Sequence, residues 1–310
     1  MKKAAQKHKS GTLWNNGAPV GSHYNVEGRD LLLDCAGSGS PAVVFLPAAG
    51  MVGLDYLNLH NKISQRTTSV IYDRAGTGWS EQVKLPRSAQ EVTDELRTLL
   101  NAAGVTAPYL FVGHSLGGLY AQRYAQRFPD EVAGMLLLEP PHEDFLTNTP
   151  KFNKRYLFHQ SAVILRALFT YKKSFHRLFE KMFATWPASI RKPLIEYHLH
   201  TLTKTMLERK NLNSELYEEI REGGDLPDIP LTVLTGLGID PFMTPITSES
   251  FLRETLDPFN QAKKIIYTKL ANTVPRGENR LLRKAGHTTI HTDCPNEVAG
   301  EIWTLLDWSN

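Results

Sequence analysis

The chain has 310 residues, 41% hydrophobic and 22% charged, enough apolar material for a sizeable core and far from the composition of disordered chains. Its 35 basic and 32 acidic residues leave a formal charge of only +3, which excludes binding driven by phosphate neutralisation and so excludes nucleic acid as a partner. Two cysteines, Cys35 and Cys294, cannot form a disulfide framework, the N-terminal lysines precede no apolar stretch, and no run approaches the roughly 20 apolar residues that span a bilayer, so a cytoplasmic protein without a transmembrane segment is expected.

In chain order, residues 1–20 read as a flexible N-terminal segment. From Tyr24 to Leu46 the pattern is that of strands broken by turns, ending in the apolar run Ala42 to Leu46, which suits a strand covered on both faces. A second buried run, Thr68 to Tyr72, stops at a loop rich in turn formers, Asp73 to Gly78. Residues 88–104 carry helix punctuation: Ser88 and Glu91 have capping-box spacing, Val92, Leu96, Leu99, Leu100 and Ala103 share one face, and Gly104 fits the C-terminal cap. The strand Tyr109 to Val112 leads directly into Gly113 and a helix ending at Pro129, and Val132 to Leu138 supplies another buried strand. Strands alternating with helices at this spacing imply an α/β fold with a mostly parallel, doubly wound sheet.

After Pro140 and Pro141 the character changes. Residues 151–224 show no buried strand and hold 14 Lys and Arg against 7 Asp and Glu, a net of +7. Leu165, Leu168, Phe175, Leu178, Phe179 and Met182 fall near one helical face. The expected organisation is a first core part at 21–140, a helical cap inserted at 141–227, and a second core part at 228–310. The strand pattern resumes at Leu231 to Thr235, a short strand is expected near Arg280 to Leu282, and a helix from Pro295 to Leu306 closes the fold.

Gly113-His114-Ser115-Leu116-Gly117 matches G-x-S-x-G, whose physical logic is a sharp strand-to-helix turn that exposes the serine at the sheet edge. The short match alone is weak, but here it lies at the end of an apolar strand and the start of a helix, as that turn requires. A serine hydroxyl needs a neighbouring base, and two histidines compete for the role: His287, after Gly286, and His291, ahead of the last helix. The segment His287 to His291 also has the spacing of a zinc-binding helix, but Thr288 replaces the required glutamate and threonines before Pro295 make a poor helix, so no metal is expected. His114 is expected to point away from Ser115 and pack in the core. The orienting carboxylate is expected to be Asp240, which follows the strand Leu231 to Thr235 and lies between Ser115 and His287 in sequence, with Glu139, at the end of the strand before the insertion, as its rival. Asp73 and Asp34 read as braces of turns. Backbone N–H groups of Ala49 and Leu116 are the expected donors to an oxyanion.

These features together resemble the α/β-hydrolase superfamily over nearly all of residues 21–310. Val26-Glu27-Gly28, Tyr72 to Ser80 with its D-R-x-G-x-G-x-S pattern, Gly113 to Gly118, and Gly286-His287 followed by Pro295 to Val298 occur in the superfamily's order. The chain departs from it at Pro47-Ala48, where members commonly carry His-Gly, and in a stretch from His287 to Pro295 about one residue longer than that pattern, which keeps His291 in contention. The resemblance implies a serine esterase acting through an acyl-enzyme, without cofactor. Carbon–carbon bond hydrolysis or a cofactor-free lyase reaction on the same residues, and a non-catalytic ligand receptor, are the alternatives, because a fold does not fix its chemistry. The expected partner is a small, largely apolar molecule. The basic insertion reads either as a solvated face or as an attraction to anionic substrates or a membrane surface.

Overall fold

The computed structural model describes residues 17–148, 172–247 and 249–308. Eight strands form one sheet: β1 (Ser22–Val26), β2 (Arg29–Ala36), β3 (Ala42–Leu46), β4 (Ser69–Tyr72), β5 (Tyr109–His114), β6 (Val132–Leu138), β7 (Leu231–Gly236) and β8 (Gly277–Leu282). Their order across the sheet is β1-β2-β4-β3-β5-β6-β7-β8, antiparallel at β1/β2 and β2/β4 and parallel from β4 onward.

Alternation along the central strands shows why they read as unbroken apolar runs. Val44, Leu46, Tyr109, Phe111, Met135 and Leu137 enter one core, while Val43, Phe45, Leu110, Val112, Leu136 and Leu138 enter a second core on the opposite face. Helices Ala89–Ala102, Leu116–Arg127 and Glu249–Ala271 supply the first core, and helices Leu57–Ile63 and Pro295–Trp308 supply the second. The sheet is therefore covered on both sides, as the sequence pattern predicts. β8 is one of the two edge strands, and exposed Glu278 and Arg280 blunt its alternation, which explains why only its last residues are visible in the sequence.

The capping prediction is borne out in atomic detail. Ser88 Oγ accepts the Glu91 N–H at 3.1 Å, Glu91 returns a carboxylate oxygen to the Ser88 N–H at 3.0 Å, and Gly104 has φ +71° just beyond the helix end. Between β6 and β7 the described residues form helices, at 172–182, Ala188–His200, Leu202–Glu208 and Tyr217–Glu222. Of the expected apolar stripe, Phe175 and Phe179 are buried against Phe242, Phe179 also stacks on His198, Met182 is buried and Leu178 is partly buried, whereas Leu165 and Leu168 lie outside the described residues. Among the described residues no helix is long and apolar enough to cross a membrane.

Candidate active site

Parallel strands end on the same edge of a sheet, so the loops that follow them meet there. Leu46 pairs with Gly113 and His114 with Leu138, while Ser115 N–H donates to Leu138 O at 2.9 Å and Glu139 N–H to Leu234 O at 3.2 Å. This register places Pro47 to Gly50, Ser115, Glu139 and the loop after Gly236 side by side.

Ser115 takes φ 47° and ψ −120°, a strained conformation for a residue with a side chain, and the strain turns its hydroxyl out of the strand line. The turn requires its glycines: a Cβ on Gly117 would lie 2.0 Å from the Leu46 carbonyl oxygen, and one on Gly113 would lie 2.7 Å from the Gly118 Cα. Ser115 Oγ stands 3.1 Å from His287 Nε2, and His287 Nδ1 stands 2.9 Å from Glu139 Oε2. The imidazole is 46% exposed, and the carboxylate beneath it is 1% exposed. Oε1 of Glu139 accepts the Gly236 N–H at 2.9 Å and meets the ammonium of Lys263 at 2.9 Å. Burial favours the neutral acid, but the hydrogen bond and charge of His287 and the charge of Lys263 outweigh it and hold the carboxyl below its ordinary range.

Glu139, not the expected Asp240, thus faces the histidine. Asp240 Oδ1 accepts the Phe242 N–H at 2.8 Å and Oδ2 accepts the Thr288 N–H at 2.6 Å, so this carboxylate ties down the histidine loop through its backbone. The physical reason is depth: Glu139 is the first residue after β6, whereas Asp240 is the fourth residue after β7 and is carried under the loop. His291 likewise does not compete for Ser115. It is 2% exposed, its ring lies 4.6 Å from that of Tyr56, and burial pushes its pKa down to about 4. His114 is buried as expected, and it also links two loops. Its Nε2 contacts the His287 carbonyl at 2.8 Å, and because a carbonyl only accepts, this nitrogen carries the proton and Nδ1 accepts from the Tyr56 hydroxyl at 2.7 Å.

The loop Pro47 to Gly50 is held from several sides. Ala48 N–H donates to Tyr56 Oη at 3.3 Å and Gly50 N–H to Glu208 Oε2 at 2.6 Å. The Arg74 guanidinium, 2% exposed, donates to the carbonyls of Pro47 at 2.6 Å and Ala48 at 3.0 Å while pairing with Glu208 at 2.9 Å. Among the described hydrogen bonds none takes the N–H of Ala49 or of Leu116, the two donors expected from the sequence. Asp73 braces the neighbouring turn, accepting the N–H groups of Gly53 and Trp79 at 2.9 Å and 2.8 Å. The constellation can deprotonate a serine, stabilise the imidazolium that results, and offer backbone donors to an anion. Three supporting residues went unread in the sequence. Lys263 left one signal, a lysine at helical spacing from buried Ile266, Tyr267 and Leu270; Arg74 lay within a quoted motif without a role, and nothing local marks Glu208.

A family model described as "Alpha/beta hydrolase family" matches residues 43–301. The uncharacterized protein YbdG of Bacillus subtilis is 29% identical over 121 residues, 38% of this chain and 37% of that protein. A (lyso)-N-acylphosphatidylethanolamine lipase of Bos taurus is 33% identical over 105 residues, 33% of this chain and 30% of that protein. The chain therefore spans less than half the length of these curated relatives. Among solved structures, an esterase from Exiguobacterium antarcticum superposes with a TM-score of 0.62 at 14% identity, covering 93% of this chain and 100% of that one, a likeness of fold.

Proposed function

Since the chain belongs to the alpha/beta hydrolase family, we propose that it is a serine hydrolase that cleaves carboxylic esters through an acyl-enzyme. The observation that carries this reading is the line of contacts from Ser115 Oγ through His287 to Glu139, 3.1 Å and 2.9 Å long, on a serine held at a strained turn. His287 Nε2 takes the hydroxyl proton as Ser115 Oγ attacks the ester carbonyl, and Glu139 stabilises the imidazolium and fixes its tautomer. The carbonyl oxygen, now an anion, is received by the N–H groups of Ala49 and Leu116. Collapse expels the alcohol, which leaves with the proton from Nε2, and water repeats the sequence to release the acid.

The insertion at 141–227 acts in this reading as a cap over the sheet edge. Phe175 and Phe179 lie with ring centroids 5.7 Å and 4.8 Å from Phe242, which is two residues beyond Asp240, so an apolar wall adjoins the histidine loop and favours an apolar acyl group. The names of the lipase and esterase relatives are consistent with this class.

The test is covalent labelling by an alkyl fluorophosphonate, followed by turnover of p-nitrophenyl esters of graded chain length. Wild-type protein is expected to label at Ser115, and Ser115→Ala to abolish labelling and lower turnover by roughly 10^4 or more. Full turnover by pure Ser115→Ala protein would remove the serine mechanism, and a wild-type chain that neither labels nor turns over esters would leave a ligand receptor.

A further inference from the structure

The triad reading has no use for Lys263, yet this lysine is built into the site. Its side chain is 7% exposed, it projects from the helix Glu249–Ala271 toward the end of β7, and its ammonium meets both Glu139 Oε1 and the Gly236 carbonyl. Burying an ammonium is costly, and a neutral amide would satisfy the same carboxylate oxygen. The distinctive contribution of lysine is therefore its charge.

We propose that Lys263 is a positioning residue of the Ser115, His287 and Glu139 site: its ammonium pins Oε1 of Glu139 so that Oε2 faces His287, and its positive charge weakens the hold of the Glu139 and His287 pair on a proton. The inference rests on the hydrolase reading above. Among the described residues Glu139 has three partners, and they divide cleanly: Gly236 N–H and Lys263 hold one oxygen, and His287 Nδ1 holds the other. A carboxylate held in this way cannot rotate to share both oxygens with the imidazole.

The charge acts on protonation as follows. A carboxylate against an imidazole tightens the imidazole's grip on a proton, which helps in the transition state but removes the free base at rest. A fixed positive charge on the far side of the carboxylate loosens that grip. Whichever of the two groups holds the proton, the pair binds it less tightly with Lys263 present, because the two titrate as a unit. The other groups facing the pair, among the described residues, are few. Tyr267 from the same helix is neutral at working pH, and His114 beneath the His287 ring is kept neutral by burial. Asp240 from the loop after β7, turned to the N–H groups of Phe242 and Thr288, and Asp293, which accepts the Gly286 N–H at 3.2 Å, are further negative charges acting against Lys263.

The experiment is the rate of alkyl fluorophosphonate labelling at Ser115 as a function of pH, in wild type, Lys263→Met and Lys263→Arg. Methionine keeps most of the volume and removes the charge; arginine keeps the charge. The acid limb of the profile is expected to move up by about one pH unit in Lys263→Met and by a few tenths or less in Lys263→Arg. A Lys263→Met limb coincident with that of wild type overturns the proposal, and so does a Lys263→Arg limb displaced as far as that of Lys263→Met, since packing would then be the cause. Should Lys263→Met not fold, Glu139→Gln/Lys263→Met, which buries no charge at either position, is compared with Glu139→Gln alone. The double variant is expected to have the higher limb, and coincident limbs overturn the proposal. If the wild-type protein does not label at Ser115 at all, the failure is that of the hydrolase reading, so the two are separable.

Discussion

In the proposed mechanism the carboxylate that steadies the imidazolium has to stay ionised in a place water barely reaches, and Glu139 meets that demand with three donors among the described residues and a positive φ of 47° that turns it off the strand. Asp240 meets a different demand, accepting two backbone N–H groups in and beside the histidine loop. Glu139→Gln is therefore expected to lower kcat/KM on p-nitrophenyl esters by roughly 10^3 to 10^4, because an amide cannot stabilise the imidazolium and can enforce the wrong tautomer. Asp240→Asn, which still accepts one of its two hydrogen bonds, is expected to lose on the order of tenfold. Steady-state kinetics on both variants decides, and the opposite ranking would return the acid's role to Asp240. The turn that carries the proposed nucleophile, Ser115, was legible at this scale because its cause is local: two glycines without which the strand and helix backbones collide. The choice of acid was not. Glu139 and Asp240 both follow adjacent parallel strands, and what separates them is how far beyond the strand each chain has travelled, a matter of loop path that no residue type announces.

Elements meet closely at the loop Pro47 to Gly50, where helix Leu202–Glu208 sends a buried carboxylate toward the loop. Glu208, 4% exposed, accepts the Gly50 N–H and pairs with Arg74, which in turn holds two carbonyls of the same loop. Thr205, one turn earlier on that helix, lies so close that a Cβ on Gly50 would sit 1.9 Å from its Oγ1. The insertion is thus wired to the donors proposed for the oxyanion. Glu208→Gln leaves Arg74 buried without its counter-charge, so a stability loss of about 3 to 5 kcal/mol is expected by thermal or urea unfolding. In protein that remains folded, kcat is expected to fall by roughly tenfold to a hundredfold with KM little changed, since the loop's donors act most in the transition state. An unaltered kcat would mean that the ion pair serves the fold alone. At this scale the sheet, the capped helix Ala89–Ala102 and the closing helix were readable from periodicity and caps. The helix Glu249–Ala271 was not, because Pro258 interrupts its pattern, and with it Lys263 was overlooked.

For the whole molecule, the hydrogen-ion balance of folding follows from what lies beneath the site. His291 is buried with its pKa pushed down to about 4, and burial likewise holds His114 well below its ordinary value. A histidine whose folded pKa lies below its unfolded value of about 6.5 takes up its proton on unfolding, so stability falls as pH drops from about 6.5 toward the folded value. Asp73 works in the opposite sense, since burial raises it to about 6 and folding then favours proton uptake below that pH. The His291 share alone amounts to about 3 kcal/mol across that window. Urea midpoints between pH 7.5 and 4.5 are expected to decline less steeply in His291→Phe than in wild type, and parallel declines would show that His291 does not govern the slope. Glu139 stands 24 residues after Ser115, but the histidine that joins them comes 148 residues later still, on the far side of the insertion. At about 5 to 20 residues per second, a ribosome would hold Ser115 and Glu139 without His287 for roughly 7 to 30 seconds. In the proposed mechanism the serine therefore stays chemically mute throughout its own synthesis, and the chain acquires a voice only when its last strand and histidine loop dock.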